Sequence, residues 1–188
     1  MRIIYTFSIL IYQFAIKLVA PFNKKAKLWS VGRATIFEDL EKNVPKDKKV
    51  IWFHCASLGE FEQGRSLIEA YKRAYPDDFI LLSFFSPSGY EIRKNYIHAD
   101  YVCYLPADTS NNANRFIKTV NPSLAFFVKY EFWFNYLNEL KKSNTSTFLV
   151  SGIFRPQQHF FKWYGGWFRK QLSSFEHFFI QNQTSLDL

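Results

Sequence analysis

Two acidic residues that follow apolar segments are the best candidates for chemistry in this sequence. Glu60 ends the motif His54–Glu60 (HCASLGE), and Glu131 follows a second apolar run. A carboxylate in a cleft can take a proton from an attacking hydroxyl group, and a second acid in the same crevice can hold a hydroxyl group or tune its partner's pKa. Each acid also has a structural alternative. Glu60 suits the first turn of a helix, and Glu131 can pair with Lys129 or Arg155.

Small polar residues and one arginine occupy the neighbouring loops. Ser57 and Gly59 suit a tight turn into a helix whose backbone N–H groups face an anion. Ser86 lies in the segment Phe85–Gly89 (FSPSG), which is typical of a helix entry with free donors. Arg155 is suited to binding phosphate or carboxylate, with a surface ion pair as the alternative. These residues are candidate ligand contacts.

Cysteine and histidine residues show no metal-site spacing. Cys55 and Cys103 each stand inside an apolar run, and no CxxC pair is present. This pattern predicts buried, reduced thiols and neither a disulfide framework nor a zinc site. The four histidine residues also lack metal-ligand spacing. The spacing of these residues therefore predicts no metal site.

Apolar runs alternate with helix-length polar segments after Trp29, which predicts the fold class. The predicted strands are Val50–Cys55, Phe79–Phe85, Tyr101–Leu105, Leu124–Val128, Thr147–Val150 and Phe178–Gln181. The predicted helices are Phe61–Ala74, Gly89–Tyr96, Ser110–Val120, Phe132–Lys142 and Phe160–Leu172, with no helix after the last strand. Continuous apolar strands indicate burial on both faces, so we predict an α/β, Rossmann-like parallel sheet with helices on both faces. Asp108 or Thr109 is expected to cap the helix that begins at Ser110.

The N-terminal segment is apolar and is followed by lysines. Residues 3–22 contain one charged residue, Lys17, and the lysines Lys24, Lys25 and Lys27 come next. Because a membrane span needs about 20 apolar residues, we predict that residues 1–28 form a hydrophobic membrane-attachment helix that either spans the bilayer or lies at its interface. A buried core helix is the alternative, and a cleaved signal peptide is disfavoured because the charges follow the apolar run. Residues 29–188 form the Rossmann-like domain.

Composition favours an anionic, membrane-associated partner. The net charge is +8, and aromatic residues make up 20% of the chain, including 22 Phe. Scattered basic residues suit phospholipid headgroups or phosphorylated substrates, and the lack of a long basic run argues against nucleic acid. The runs Phe160–Trp163 and Trp167–Lys170 mix aromatic and basic residues. They suit contact with lipid, or a helix that faces the core with its cations reaching solvent.

Four loop motifs, in order, resemble the 3-deoxy-D-manno-octulosonic acid (Kdo) transferase family of lipopolysaccharide synthesis. His54–Glu60 fits that family's H-x-x-S-x-G-E signature, and Phe85–Gly89 resembles its second loop. Tyr104–Asp108 resembles its L-P-x-D segment, and Tyr130–Asn135 resembles its E-L-W-P-N segment, with Phe134 where the family usually has Pro. Ser151–Arg155 matches the family's N-A-R-L-S region only loosely. The resemblance runs from about Trp29 to the last residue and also covers the hydrophobic N-terminus.

The resemblance implies a function and a division of roles. The family consists of GT-B glycosyltransferases with two facing Rossmann-like domains. This chain corresponds to the N-terminal, acceptor-binding domain, and the C-terminal donor domain that binds CMP-Kdo is absent. Glu60 would be the general base for transfer of Kdo from CMP-Kdo to a phosphorylated lipid A precursor (lipid IVA). Ser57, Gly59, Glu131, Ser86 and Arg155 would form the acceptor site.

The same resemblance implies a place and partners in the cell. The enzyme would work without a metal on the cytoplasmic face of the inner membrane of a Gram-negative bacterium, in contact with anionic lipids and with no nucleic acid. We expect the isolated chain to be inactive. Two alternatives remain: a GT-B glycosyltransferase with another membrane acceptor, or an inactive basic membrane-associated binding module.

Overall fold

A six-stranded parallel sheet forms the centre of the molecule in the computed structural model, which describes residues 2–130 and 132–188. The strands are β1 (Val50–Cys55), β2 (Phe79–Phe84), β3 (Tyr101–Tyr104), β4 (Leu124–Val128), β5 (Ser146–Gly152) and β6 (His177–Ile180). Their order is β3-β2-β1-β4-β5-β6, and all neighbouring strands are parallel. The order reverses between β1 and β4. In open α/β sheets such a switch point opens a crevice at the carboxyl ends of the strands, where ligands bind.

Helices surround the sheet and connect its strands. They are α1 (Arg2–Val19), α2 (Lys24–Val31), α3 (Ile36–Asn43), α4 (Leu58–Ala74), α5 (Pro87–Arg93), α6 (Ser110–Val120), α7 (Phe134–Lys142), α8 (Gly166–Leu172) and α9 (Gln183–Leu186), with a 3₁₀ turn at His159–Phe161. One buried cluster contains Trp52 and Phe127, and a second, on the opposite face of the sheet, contains Phe53 and Phe84. The predicted parallel sheet with helices on both faces is therefore confirmed.

Burial on both faces explains why the strands are apolar without alternation. All six residues of β1 are buried, and the β1 side chains divide between the two cores. Phe53 stacks on Phe126 with a centroid separation of 4.8 Å, and Phe126 stacks on Phe148 at 5.2 Å. These rings connect β1, β4 and β5 across one face. A central strand of this kind has no solvent-facing side, so it needs no polar residues.

The single helix predicted over Phe160–Leu172 is wrong, because the chain makes a tight turn at Gly165. The chain forms the 3₁₀ turn first, and α8 begins only at Gly166. A Cβ atom on Gly165 would lie 2.2 Å from the carbonyl oxygen of His159, so only glycine fits this tight turn. The expectation of no helix after the last strand is also wrong, since α9 follows β6. Helices α2 and α3 were not predicted.

The N-terminal helix α1 packs on the domain through few residues and leaves most of its apolar surface exposed. Tyr5 contacts Phe134 with a centroid separation of 4.9 Å, and Tyr12 contacts Trp29 at 6.1 Å. The exposed residues include Ile3, Ile4, Phe7, Leu10, Ile11, Phe14 and Leu18. No side chain of residues 3–19 is buried, which excludes the core-helix alternative.

Among the described residues, no helix taken singly is long and apolar enough to cross a membrane. The helices α1 and α2 meet that test only as a pair, and the chain bends by 119° between them. Membrane attachment of residues 1–28 stays a prediction.

Candidate active site at the carboxyl edge of the sheet

The turn after β1 holds Glu60 in place through Ser57. Ser57 is the N-cap residue of α4, and Glu60 lies in the first turn of that helix. The Ser57 hydroxyl donates a hydrogen bond to Oε2 of Glu60 and makes no capping bond to the backbone. The S-x-x-E spacing is that of a capping box, but here the two side chains bond to each other. The half-buried Glu60 carboxylate is therefore oriented at the carboxyl end of β1.

Gly59 leaves open space beside Glu60. A Cβ atom built on Gly59 would have the Ser57 hydroxyl oxygen, at 3.9 Å, as its nearest contact among the described residues outside its own helix backbone. The residue is exposed, and its φ angle is not positive. Neither packing nor backbone conformation within the described chain thus requires a glycine here. A glycine in such a place allows a ligand to approach the backbone closely.

The turn after β2 is tied directly to the turn after β1. The backbone N–H of Ser86 donates to the carbonyl oxygen of Ala56 at 2.7 Å. The Ser86 hydroxyl caps α5, accepting from the backbone N–H of Ser88 at 3.2 Å, and lies 3.0 Å from the Ser88 hydroxyl. Ser86 therefore has a local capping role, and its backbone fixes its position beside the Ser57–Glu60 turn.

The turns after β4 and β5 bring Arg155 to Tyr130. Lys129 has a φ angle of 74°, which turns the chain sharply at the end of β4. The exposed Arg155 guanidinium donates to the Tyr130 hydroxyl at 3.4 Å and lies 5.8 Å from the Tyr130 ring centroid. Glu131 falls outside the described residues, so its predicted role and its pairing with Lys129 or Arg155 stay predictions.

A cavity of about 560 Å³ adjoins this pair of residues. Its walls include Tyr130, Phe134, Arg155, His159 and Phe168. Aromatic walls suit the apolar faces of a sugar ring, and the guanidinium suits a phosphate or carboxylate group. The cavity lies at the same carboxyl edge of the sheet as the β1 turn, because β4 and β5 are parallel to β1. The arrangement suits an anionic carbohydrate ligand.

Arg33, which no sequence motif indicated, connects the turns that follow β2 and β3 at this edge of the sheet. Its guanidinium donates to the carbonyl oxygens of Leu105 at 2.8 Å and Phe85 at 2.6 Å, and it also lies 4.0 Å from the Trp29 ring centroid. Burial lowers the pKa of Arg33 to about 9, which leaves it charged at neutral pH. A third bond goes to the nearby carbonyl oxygen of Trp29 at 2.9 Å, but the carbonyls of Leu105 and Phe85 are more than 50 residues away along the chain, so no local sequence pattern indicates this role.

Of the two residues predicted to cap α6, Thr109 does so and Asp108 caps α7. Thr109 caps α6, accepting from the backbone N–H of Asn112 at 3.2 Å. The fully buried Asp108 instead accepts from the backbone N–H groups of Asn135 at 3.1 Å and Tyr136 at 3.0 Å, in the first turn of α7. It also accepts from the Tyr5 hydroxyl at 2.6 Å. Asp108 therefore joins α1, α6 and α7 and fixes the segment that follows β4.

His54 and the cysteines lie in the core beneath the site. Nδ1 of His54 is 2.8 Å from the Ser83 hydroxyl, and the His54 ring is 6.0 Å from that of Trp133. Cys55 and Cys103 are both buried, as predicted. Within residues 2–130 and 132–188, no three His, Cys, Asp or Glu side chains gather as metal ligands would.

A family model and several known proteins that resemble this chain carry the same family description. A model of the family described as 3-deoxy-D-manno-octulosonic-acid transferase (kdotransferase) matches residues 32–187. A protein of that name from Aquifex aeolicus is 34% identical over 104 residues, covering 52% of this chain and 28% of the relative. Another protein of that name, from Haemophilus influenzae, is 31% identical over 91 residues, covering 48% of this chain and 21% of the relative.

A third relative aligns over more of the chain. A bifunctional glycosyltransferase/methyltransferase of Fusobacterium nucleatum is 29% identical over 148 residues, covering 76% of this chain and 22% of the relative. The matched part of this chain thus spans about a quarter of the length of its curated relatives. The family match extends from the end of α2 to the penultimate residue and includes the whole carboxyl edge, so the chain belongs to the 3-deoxy-D-manno-octulosonic acid transferase family.

Proposed function

We propose that this chain is the acceptor-binding half of a glycosyltransferase that moves Kdo from CMP-Kdo to lipid IVA, a phosphorylated lipid A precursor, in lipopolysaccharide synthesis. The observation that carries the proposal is the Ser57–Glu60 pair, held at the carboxyl end of β1 beside the topological switch point. Gly59, which lies between these two residues in the chain, is exposed. Family membership supplies the reaction class.

Glu60 acts as the general base in this proposal. Its carboxylate takes the proton from an acceptor hydroxyl group, and the resulting oxygen attacks the anomeric carbon of Kdo. The bond from that carbon to the CMP phosphate breaks with inversion, and CMP leaves with the bonding electrons. Ser57 donates to one oxygen of Glu60 and so keeps the carboxylate aimed at the hydroxyl group.

The remaining predicted residues bind the acceptor. Arg155 contacts an acceptor phosphate from the wall of the cavity that it shares with Tyr130, where its guanidinium is exposed and its charge is available. Ser86 borders the acceptor beside the β1 turn, and Glu131 contributes a second acidic contact. No cofactor takes part in this scheme.

The donor and the membrane complete the proposed setting. The curated relatives are several times longer than their matched regions, which supports the idea that CMP-Kdo binds mainly outside the part represented here. The isolated chain should then be unable to catalyse transfer. In this proposal the enzyme works on the cytoplasmic face of the inner membrane of a Gram-negative bacterium. The exposed apolar residues of α1 and the lysines of α2 suit contact with anionic lipids there.

The test is Kdo transfer by the complete gene product, with and without Glu60→Gln. The substrates are CMP-Kdo and a tetra-acylated lipid A precursor. A general base contributes about 10²–10⁴-fold, so kcat should fall by that factor. Glu62→Gln is the matched control, because Glu62 lies on the exposed face of the same helix and pairs with Arg65 and Arg93. That variant should retain the parent rate.

Each result decides a separate part of the proposal. Equal activity in Glu60→Gln and the parent would remove Glu60 from its role while keeping the reaction. A parent protein that folds and shows no transfer to this acceptor would overturn the proposed substrate and favour a glycosyltransferase with another membrane acceptor.

A further inference from the structure

A groove of about 400 Å³ lies between α1, α2 and the turn after β2, and the roles proposed above leave it unused. Its apolar walls include Tyr12 and Ile16 from α1, Trp29 from α2, and Phe85 from the β2 turn. It is open to solvent along one side. An apolar groove of this kind is suited to a flexible hydrocarbon chain.

The groove is preformed, because aromatic contacts hold its walls. Trp29 is buried, and its ring lies 5.8 Å from Phe85 and 6.1 Å from Tyr12. The Arg33 guanidinium binds the carbonyl oxygen of Phe85 at 2.6 Å, which fixes the β2 turn against α2. A ligand entering such a groove loses little binding energy to rearrangement of the protein.

One end of the groove meets the candidate active site. Ser86 lines the groove, and its backbone N–H binds the carbonyl oxygen of Ala56, immediately before Ser57. Groove and candidate base are therefore attached to the same pair of hydrogen-bonded turns. A ligand whose sugar reaches Glu60 has an apolar path from Ser86 towards α1.

The charge at the groove is complementary to an anionic headgroup. Lys25 lines the groove, and Lys24 and Lys27 are exposed on the same helix. The sequence of α2, KKAKLWSV, contains no acidic residue. An occupant with an apolar chain and a negatively charged head thus fits both the walls and the charge of this site.

We infer that the groove binds one acyl chain of the phosphorylated lipid acceptor, with Lys25 beside the anionic head. This inference rests on the proposed function, since it assigns a subsite to the acceptor of that reaction. The occupant is the acceptor and not a bilayer phospholipid, because the groove shares Ser86 with the turns that carry Glu60.

The first test fills the groove. Ala15 lines it, and Ala15→Trp places an indole among its walls. The matched control is Val31→Trp, because Val31 is exposed on α2, the other helix beside the groove, and does not line the groove. In the complete gene product, transfer to the acylated precursor is compared with transfer to the same sugar after its acyl chains have been removed.

We expect a selective loss. Each buried CH₂ group contributes about fourfold to binding, so exclusion of three should raise KM for the acylated acceptor by about 60-fold. Transfer to the deacylated sugar should be unchanged, and Val31→Trp should match the parent with both acceptors. Parent-like preference in Ala15→Trp, or an equal loss with both acceptors, would overturn the inference.

A binding measurement on the chain described here separates this inference from the proposed function. An acceptor with a photoreactive group on one acyl chain is irradiated with the chain, and the labelled residues are identified by mass spectrometry. Labelling of Ile16 or Trp29 that is displaced by unlabelled acceptor, but not by phosphatidylglycerol, supports the groove as an acceptor subsite. Labelling elsewhere, or equal displacement by phosphatidylglycerol, would overturn it. Failure of the proposed function would appear instead as absence of transfer to either acceptor.

Discussion

Replacement of Gly59 by alanine should separate stability from function. Gly59 lies in the first turn of α4, one residue before Glu60. Among the described residues outside its own helix backbone, the added methyl group would have the Ser57 hydroxyl oxygen as its nearest contact, at 3.9 Å, an ordinary van der Waals distance. Because alanine is favoured over glycine in helices by up to about 1 kcal/mol, the free energy of unfolding should stay the same or rise by about 0.5–1 kcal/mol.

The same methyl group should obstruct the acceptor. A hydroxyl group that passes its proton to Glu60 must come within about 3 Å of the carboxylate, and Gly59 borders that space. Displacement of the reacting group by about 1 Å can cost about 100-fold in rate. We therefore expect Gly59→Ala to lower kcat/KM for the lipid acceptor by about 100-fold, with unchanged or higher stability.

Gly166→Ala is the matched control for this experiment. A Cβ atom on Gly166 would also have its nearest contact at 3.9 Å, to Nη2 of Arg169, in the first turn of another helix. Urea denaturation and Kdo transfer are measured on both variants. Both should keep or gain stability, and only Gly59→Ala should lose activity. A fully active Gly59→Ala protein would refute the reasoning that the acceptor occupies the space over this residue.

Two further predictions concern the framework of the site. Asp108→Ala leaves two buried N–H groups at the start of α7 without this acceptor and should lower the free energy of unfolding by about 3–5 kcal/mol. Tyr5→Phe removes a single hydrogen bond to Asp108 and should lower it by about 1 kcal/mol in the same denaturation assay. Equal losses in the two variants would contradict the capping role of Asp108. Burial raises the pKa of Tyr104 above the pKa of an unfolded tyrosine, which is about 10. At a pH between the unfolded and the folded pKa, the folded chain keeps a proton that the unfolded chain has lost. The free energy of unfolding therefore falls as pH rises above about 10. Tyr104→Phe should reduce that slope by about 1.4 kcal/mol per pH unit in denaturation curves, and an unchanged slope would refute this assignment.

Hydrophobic patterning predicted the sheet because the strands are buried on both faces. Runs such as Val50–Cys55 and Leu124–Val128 have the same bounds in the structure as in the prediction. The other four predicted strands differ from the observed strands by one or two residues at their carboxyl ends. Parallel strands bring their carboxyl ends to one edge, so the order of elements already placed Ser57, Ser86 and Arg155 at that edge.

Local sequence was a weaker guide where helix formation depends on tertiary contacts. The helices α2 and α3 are short. One buried residue, Trp29, anchors α2, and two buried residues, Ile36 and Leu40, anchor α3. The segment Phe160–Leu172 has helical composition, but the carbonyl oxygen of His159 packs so close to Gly165 that the chain turns there.

The sequence alone determined the family, the parallel sheet and the turn that carries Glu60, because these depend on residue types at short, fixed spacings. Only the tertiary structure decided that Asp108 caps α7, that Arg33 binds the backbone of two turns, and that α1 and α2 form a groove ending at Ser86. Those contacts join residues 27 to 72 positions apart along the chain, or helices whose angle is set by packing. No pattern within a single segment specifies which distant backbone atom a buried side chain meets.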